Sequence, residues 1–252
     1  MAGPTQFTYS HPEDPAFKRA TIRAIELVTG QPKLERLYLE NQRRPRAGES
    51  FWQACIRRLE IEVDHERTKL EGLPASGPVV VVANHPFGVL DGLVIGYLVS
   101  QIRSDFKIVT NSLLFRAPEL RRYLLPIDFT ETREALETNL RSRAAASTWL
   151  DAGGVVVVFP GGNVSTAAGP LARTAVDPAW KPFTAKLIQR SRAPVLPVYF
   201  EGQNSRLFQV ASHISQTLRY ALLMNEVSNK IGDRIRVRIG QILSYADLAH
   251  LR

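Results

Sequence analysis

The feature that most constrains this chain is a run of five apolar residues, Val79-Val-Val-Val-Ala83, which leads directly into Asn84-His85-Pro86 and then, after Phe87-Gly-Val-Leu, into Asp91. Four consecutive valines show no polar alternation, so they read as a core strand buried on both faces, as in parallel α/β sheets. Pro86 cannot continue a hydrogen-bond ladder. The strand therefore stops with a histidine and a carboxylate at its end, the place where open α/β sheets bind ligands.

His85 and Asp91 are six residues apart. On a continuous helix this is about 600° of rotation and leaves them on different faces. They converge only if the chain turns back, which Pro86 and Gly88 permit. Converged, Asp91 can accept the Nδ1–H of His85 and leave Nε2 free to take a proton. The structural alternative makes Asp91 a helix N-cap and His85 a loop residue.

At 252 residues, 44% hydrophobic and 22% charged, the chain suits one α/β domain with a small appendage. Cys55 is the lone cysteine, which excludes a disulfide framework and suits a reducing compartment. The start of the chain lacks a signal-peptide pattern, and no apolar run reaches the roughly 18 residues of a spanning helix. The net charge of +8 brings polyanions into question. Ten Lys or Arg residues against four carboxylates lie between Ala16 and Arg58. That segment reads as helices: 15–29, with Phe17, Ala20, Ala24 and Val28 on one face, a short one around Leu34, and one carrying Trp52 and Ile56. Residues 1–70 are thus expected to form a basic helical arm on or beside a main domain of residues 71–252. A basic, aromatic-bearing arm suits an anionic membrane surface, the alternative being a helical layer that covers one side of the sheet and keeps a solvated basic face; basic residues without interleaved aromatics do not suit nucleic acid.

Beyond the turn-rich Glu71–Pro78, strands and helices alternate: strands at 106–110, 124–129, 154–159, 194–200 and 234–240, and helices at 131–151, 178–190 and 206–226. This predicts an α/β class with a mostly parallel central sheet flanked by helices. No G-x-S-x-G, G-x-x-x-x-G-K-[ST] or G-x-G-x-x-G occurs, which removes a serine-hydrolase elbow and the common nucleotide loops.

Four segments stand in a telling order: Asn84-His-Pro-Phe-Gly-Val-Leu-Asp91, Asn111-Ser-Leu-Leu-Phe-Arg-Ala-Pro-Glu119, Phe159-Pro-Gly-Gly-Asn-Val-Ser165 and Ala193-Pro-Val-Leu-Pro-Val-Tyr-Phe200. Over residues 78–205 this order resembles the glycerolipid (lysophospholipid) acyltransferase superfamily, which includes the lysophosphatidic acid acyltransferases, and in particular its bacterial hemolysin-like branch. The resemblance implies a glycerol-3-phosphate acyltransferase-like fold, His85 as general base and Asp91 as its orienting carboxylate. It implies an acceptor-binding set of Asn84, Gly88, Arg116, Phe159, Pro160, Gly161, Gly162, Asn163 and Ser165; Arg116 and the nearby Lys107 can pair with phosphate, with plain surface solvation as the alternative. No metal or cofactor is implied; the co-substrate is an acyl thioester of acyl carrier protein or coenzyme A, and the acceptor a lyso-lipid. The expected place is the cytoplasm, peripheral to the inner face of the plasma membrane. A lipid-binding or membrane-tethering protein without activity is the alternative.

Three departures qualify the resemblance. His and Asp are six apart instead of five, Gly161 stands where a glutamate is usual, and Phe129 follows Ile127-Asp128 where an arginine is usual. Losing a carboxylate and a phosphate-binding arginine weakens the case for a phosphate-bearing acceptor and opens one for an amino-acid-containing lyso-lipid.

Overall fold

The computed structural model describes residues 14–111, 118–128, 132–170 and 172–250. In chain order these form α1 (Ala16–Val28), α2 (Gln31–Arg43), α3 (Phe51–Arg58), β1 (Glu62–His65), α4 (Arg67–Leu70), β2 (Val79–Ala83), α5 (Val89–Ser100) and β3 (Phe106–Asn111). A 3₁₀ turn then leads to β4 (Leu124–Ile127), α6 (Arg133–Asp151), β5 (Val155–Val158) and the two-residue strands β6 (Thr166–Ala167) and β7 (Ala175–Val176). The chain ends with α7 (Pro182–Ser191), β8 (Val195–Phe200), α8 (Arg206–Ile214), α9 (Gln216–Asn229), β9 (Arg234–Ile239) and α10 (Tyr245–Leu248).

Seven strands make one sheet in the order β1-β9-β8-β2-β5-β3-β4, parallel throughout except between β8 and β9. The valine runs lie side by side, Val79 against Val155 through Val82 against Val158. Their side chains divide by parity. Val79, Val81, Val155 and Val157 enter a large core with α1, α3, α5, α8 and α9 on one face of the sheet. Val80, Val82, Val156 and Val158 enter a second core with α6 and α7 on the other. Both faces are dry, which is why neither strand needs a polar alternate. On β9, by contrast, Ile235, Val237 and Ile239 are buried while Arg234 and Arg238 pair outside with Glu62 and Glu201, both at 2.6 Å.

Several boundaries differ from the expectations. Residues 62–65 of the presumed arm form β1, an edge strand beside β9, while α1 packs on α9 and α3 on α5. Phe17, Ala20, Ala24 and Val28 face outward, and Ile22 and Ile25 turn to the core. The helix expected over 206–226 is two, broken at Ser215, whose extended backbone lets its hydroxyl accept from Thr217 N. The helix expected from 178 begins at Pro182, placed where its missing N–H costs nothing. The strand expected over 124–129 ends at Ile127, and α6 starts at Arg133 behind a Thr132 cap. Among the described residues no helix is long and apolar enough to cross a membrane.

Candidate active site

The loop after β2 folds back on itself around one carboxylate. Gly88 sits at φ 74°, a region that side chains resist, and starts α5. Three residues on, Asp91 Oδ2 accepts the backbone N–H of Phe87 at 2.8 Å and of Gly88 at 2.9 Å. The same oxygen lies 2.9 Å from His85 Nδ1. That approach runs off the axis of an Nδ1–H bond, so it is a close polar contact rather than an aligned hydrogen bond. The two readings of Asp91 therefore coexist: it closes the turn at the head of α5 and also faces the imidazole. Asp91 is fully buried, and burial raises its carboxyl above the ordinary range despite the His85 contact and the two backbone donors.

With Nδ1 turned inward, the His85 ring stacks on Phe159, centroids 4.2 Å apart. It borders a cavity of about 340 Å³ at the carboxyl ends of β2 and β5. Its lining mixes apolar side chains, Val89, Val109, Val158 and Leu223, with the polar Asn163, Lys181 and Arg219.

The sequence-predicted acceptor set divides. Gly88, Phe159, Pro160, Gly162 and Asn163 line the cavity together with His85. Asn163 makes no hydrogen bond among the described residues and presents its amide there. Three others are engaged elsewhere. The Asn84 amide donates to Phe200 O at 3.0 Å and accepts from Phe200 N at 2.7 Å, extending the pairing of β2 with β8 instead of meeting a ligand. Ser165 is buried and its hydroxyl donates to Asp177 Oδ1. Gly161 is buried against Asp177 and Pro178, where an added Cβ would come within 3.2 Å of Pro178 Cδ. Backbone donors of this loop are engaged as well, since Gly162 N donates to Phe159 O at 3.0 Å and Ser165 N to His85 O at 2.8 Å. Lys107 binds Arg122 O and lies over the Trp149 ring, away from the cavity lining. Arg116 and Phe129 lie outside the described residues. Cys55 on α3 is not at the cavity, and burial pushes its thiol up to about 12, so it offers no thiolate there.

Two residues escaped the sequence reading. Asp177 Oδ1 accepts from His85 N at 3.1 Å and from the Ser165 hydroxyl, and so ties the histidine loop to the glycine loop. Its only sequence signal is an Asp-Pro turn, which does not say where the carboxylate docks. Arg219 is buried on α9 beside the cavity. By composition it is one more helix charge, the kind that is ordinarily solvated.

The sequence profile of a family described as acyltransferase matches residues 36–251. The lyso-glycine lipid O-acyltransferase of Phocaeicola vulgatus is 28% identical over 202 residues, covering 79% of this chain and 68% of the relative. That of Bacteroides thetaiotaomicron is 29% identical over 180 residues, covering 71% of this chain and 62% of the relative. This chain thus spans about two thirds of the length of these relatives. Among solved structures, the 1-acyl-sn-glycerophosphate (LPA) acyltransferase PlsC of Thermotoga maritima aligns at a TM-score of 0.45 and 16% identity, over 90% of this chain and 78% of that one. With the matched profile spanning the sheet, the His85–Asp91 turn and the cavity, the chain belongs to this acyltransferase family.

Proposed function

We propose that this protein moves a fatty acyl group from an acyl thioester to the hydroxyl of a lyso-lipid, with His85 as general base. The observation that carries the reading is the imidazole fixed 2.9 Å from a buried carboxylate, at the edge of a cavity lined by both apolar and cationic side chains. Asp91 faces Nδ1, so Nε2 is the nitrogen left to take the acceptor's proton. As that proton leaves, the acceptor oxygen forms a bond to the thioester carbonyl carbon. The carbon–sulfur bond then breaks, and the imidazolium returns the proton to the departing thiolate. No acyl-enzyme is needed in this reading, and among the described residues no serine or cysteine lines the cavity.

The acceptor named for the two relatives, a lyso-glycine lipid, suits a chain that has Gly161 in place of a carboxylate. The donor in this reading is the thioester of acyl carrier protein or coenzyme A. The protein works peripherally at the inner face of the plasma membrane, where anionic lipid attracts the basic residues of α1 and α2. On α1, Phe17 is 85% exposed and Val28 83% exposed, and both point away from the core.

The test is acyl transfer by purified protein to a panel of lyso-lipids, with both donors, read by mass spectrometry. His85→Ala is expected to lower turnover by about 10²–10⁴-fold. Near-normal turnover by this variant, or no transfer to any acceptor by the unaltered protein, refutes the reading.

A further inference from the structure

A buried cation lines the same cavity, and no charged partner meets it among the described residues. Arg219 stands in the first turn of α9, is only 8% exposed and lines the cavity. Its Nη1 donates to Thr166 Oγ1 and its Nη2 to Val164 O, each at 2.6 Å, and the guanidinium lies 5.2 Å from the Phe208 ring centroid. These acceptors are neutral and occupy two of roughly five guanidinium donors. No carboxylate among the described residues pairs with it, and burial lowers its pKa. A desolvated guanidinium without a counter-charge is costly to keep, and an arriving anion meets it with charge-assisted bonds.

The surroundings favour the same ligand. Among the described residues lining the cavity, Arg143, Lys181 and Arg219 are cationic and Asp128 alone is acidic. The anchored segment also reaches the catalytic loop. Between Val164 and Thr166, both held by Arg219, Ser165 donates its backbone N–H to His85 O at 2.8 Å. An anion on Arg219 is thus positioned, through a single residue, against the loop that carries the base.

We propose that Arg219 is the residue that recognises the anionic group of the acceptor, a carboxylate or a phosphate. This rests on the acyl-transfer reading above and adds to it the residue that reads the acceptor's charge. Holding Val164 and Thr166 alone would not require a permanent charge, because a neutral amide donor can serve both.

The test compares the unaltered protein, Arg219→Gln and Arg219→Lys on three acceptors of equal chain length: a carboxylate-bearing lyso-glycine lipid, its carboxamide, and lysophosphatidic acid. The unaltered protein is expected to favour an acidic acceptor over the carboxamide in kcat/KM by roughly ten- to a hundredfold. Arg219→Gln should bring that ratio close to one through the acceptor KM, and Arg219→Lys should restore part of it. Preference for the carboxylate or for the phosphate identifies which anion is read. An unchanged ratio in Arg219→Gln, or a change confined to the donor KM, overturns the assignment.

Binding without turnover separates this proposal from the one it rests on. In the His85→Ala background, the charged lyso-lipid should bind more tightly than its carboxamide, and the added Arg219→Gln change should abolish the difference. That result upholds anion recognition even if no acceptor is acylated, in which case only the acyl-transfer reading falls. Equal binding of charged and neutral lipids by His85→Ala overturns the Arg219 proposal alone.

Discussion

Replacing Asp91 by asparagine should weaken the enzyme while making its stability less sensitive to rising pH. In the folded chain Oδ2 holds two backbone N–H groups and faces His85, while Oδ1 is buried with no hydrogen-bond partner among the described residues. Burial raises the carboxyl above its ordinary 3.8. The sign follows directly. A carboxyl whose folded pKa is raised adds stability that is fully present below the unfolded pKa and is lost as pH rises through the folded pKa. Each unit of that rise is worth about 1.36 kcal/mol, or roughly 2–4 °C of melting temperature per kcal/mol in a chain of this size. An asparagine carbonyl can keep both backbone donors, but its NH₂ then lies where the partnerless oxygen was, at a cost of about 1–3 kcal/mol that does not vary with pH. The offset between variant and parent therefore combines two opposing effects, whereas its slope comes from the carboxyl alone. Melting temperature should be followed from about pH 4 to pH 8 by fluorimetry, with turnover measured in parallel. The difference, Asp91→Asn minus parent, should rise with pH, and turnover should fall by about 10²–10⁴ because the imidazole loses its orienting charge. A flat difference would refute the assignment of a buried, raised carboxyl. Full activity in the variant would refute its orienting role.

Asp177→Ala leaves the His85 N–H without its acceptor and should cost about 1–3 kcal/mol together with much of the turnover. Asp177→Asn keeps an oxygen in place and should recover most of both; equal damage from the two, in melting and turnover assays, would show that the carboxylate's position is not what holds the loops. At the membrane, Phe17→Glu combined with Val28→Glu removes two outward apolar side chains from α1 and should weaken sedimentation with anionic vesicles by about tenfold or more. Unchanged sedimentation would move the membrane contact to another face.

The parts of this structure that were legible in the sequence are those where local pattern and global burial agree. Val79–Val82 and Val155–Val158 allow no wet face, so the two-sided sheet followed from them directly. The meeting of His85 with Asp91 was legible because only a backward turn could join them, and Gly88 supplies its positive φ. Other features depend on pairings that a single sequence does not state. Helix α1 offers two apolar arcs, Phe17-Ala20-Ala24-Val28 and Ile22-Ile25, and periodicity cannot choose which one meets α9. Asn84 reads as a ligand-binding amide until Phe200, 116 positions later, is found to take both its hydrogen bonds. Ser215 breaks an otherwise continuous helical pattern at a position whose side chain caps the next helix. Glu62-Val-Asp-His65 is short and polar, and is a strand through its pairing with β9, 172 positions on, where Glu62 stands beside Arg234.

The six-residue spacing between base and carboxylate shows why the site resists being read element by element. It closes because Phe87 is drawn under the chain and buried in the core, where a side chain at Gly202 would come within 2.8 Å of its ring. Gly88 can then reverse direction, and the reversal aims two N–H groups at Asp91. From the far side Asp177 holds the His85 backbone, while Ser165 and Arg219 hold the glycine loop against it. The imidazole itself meets Asp91 and Phe159, and the loop that carries it is held by the segment before α7 directly and by α9 through the loop after β5. Because these segments share few local sequence rules, a substitution at Gly202 or Asp177 should disturb the His85–Asp91 geometry as surely as one within the turn itself. The site therefore belongs to the packing of the whole sheet end, with the His85–Asp91 turn as the part most visible in the sequence.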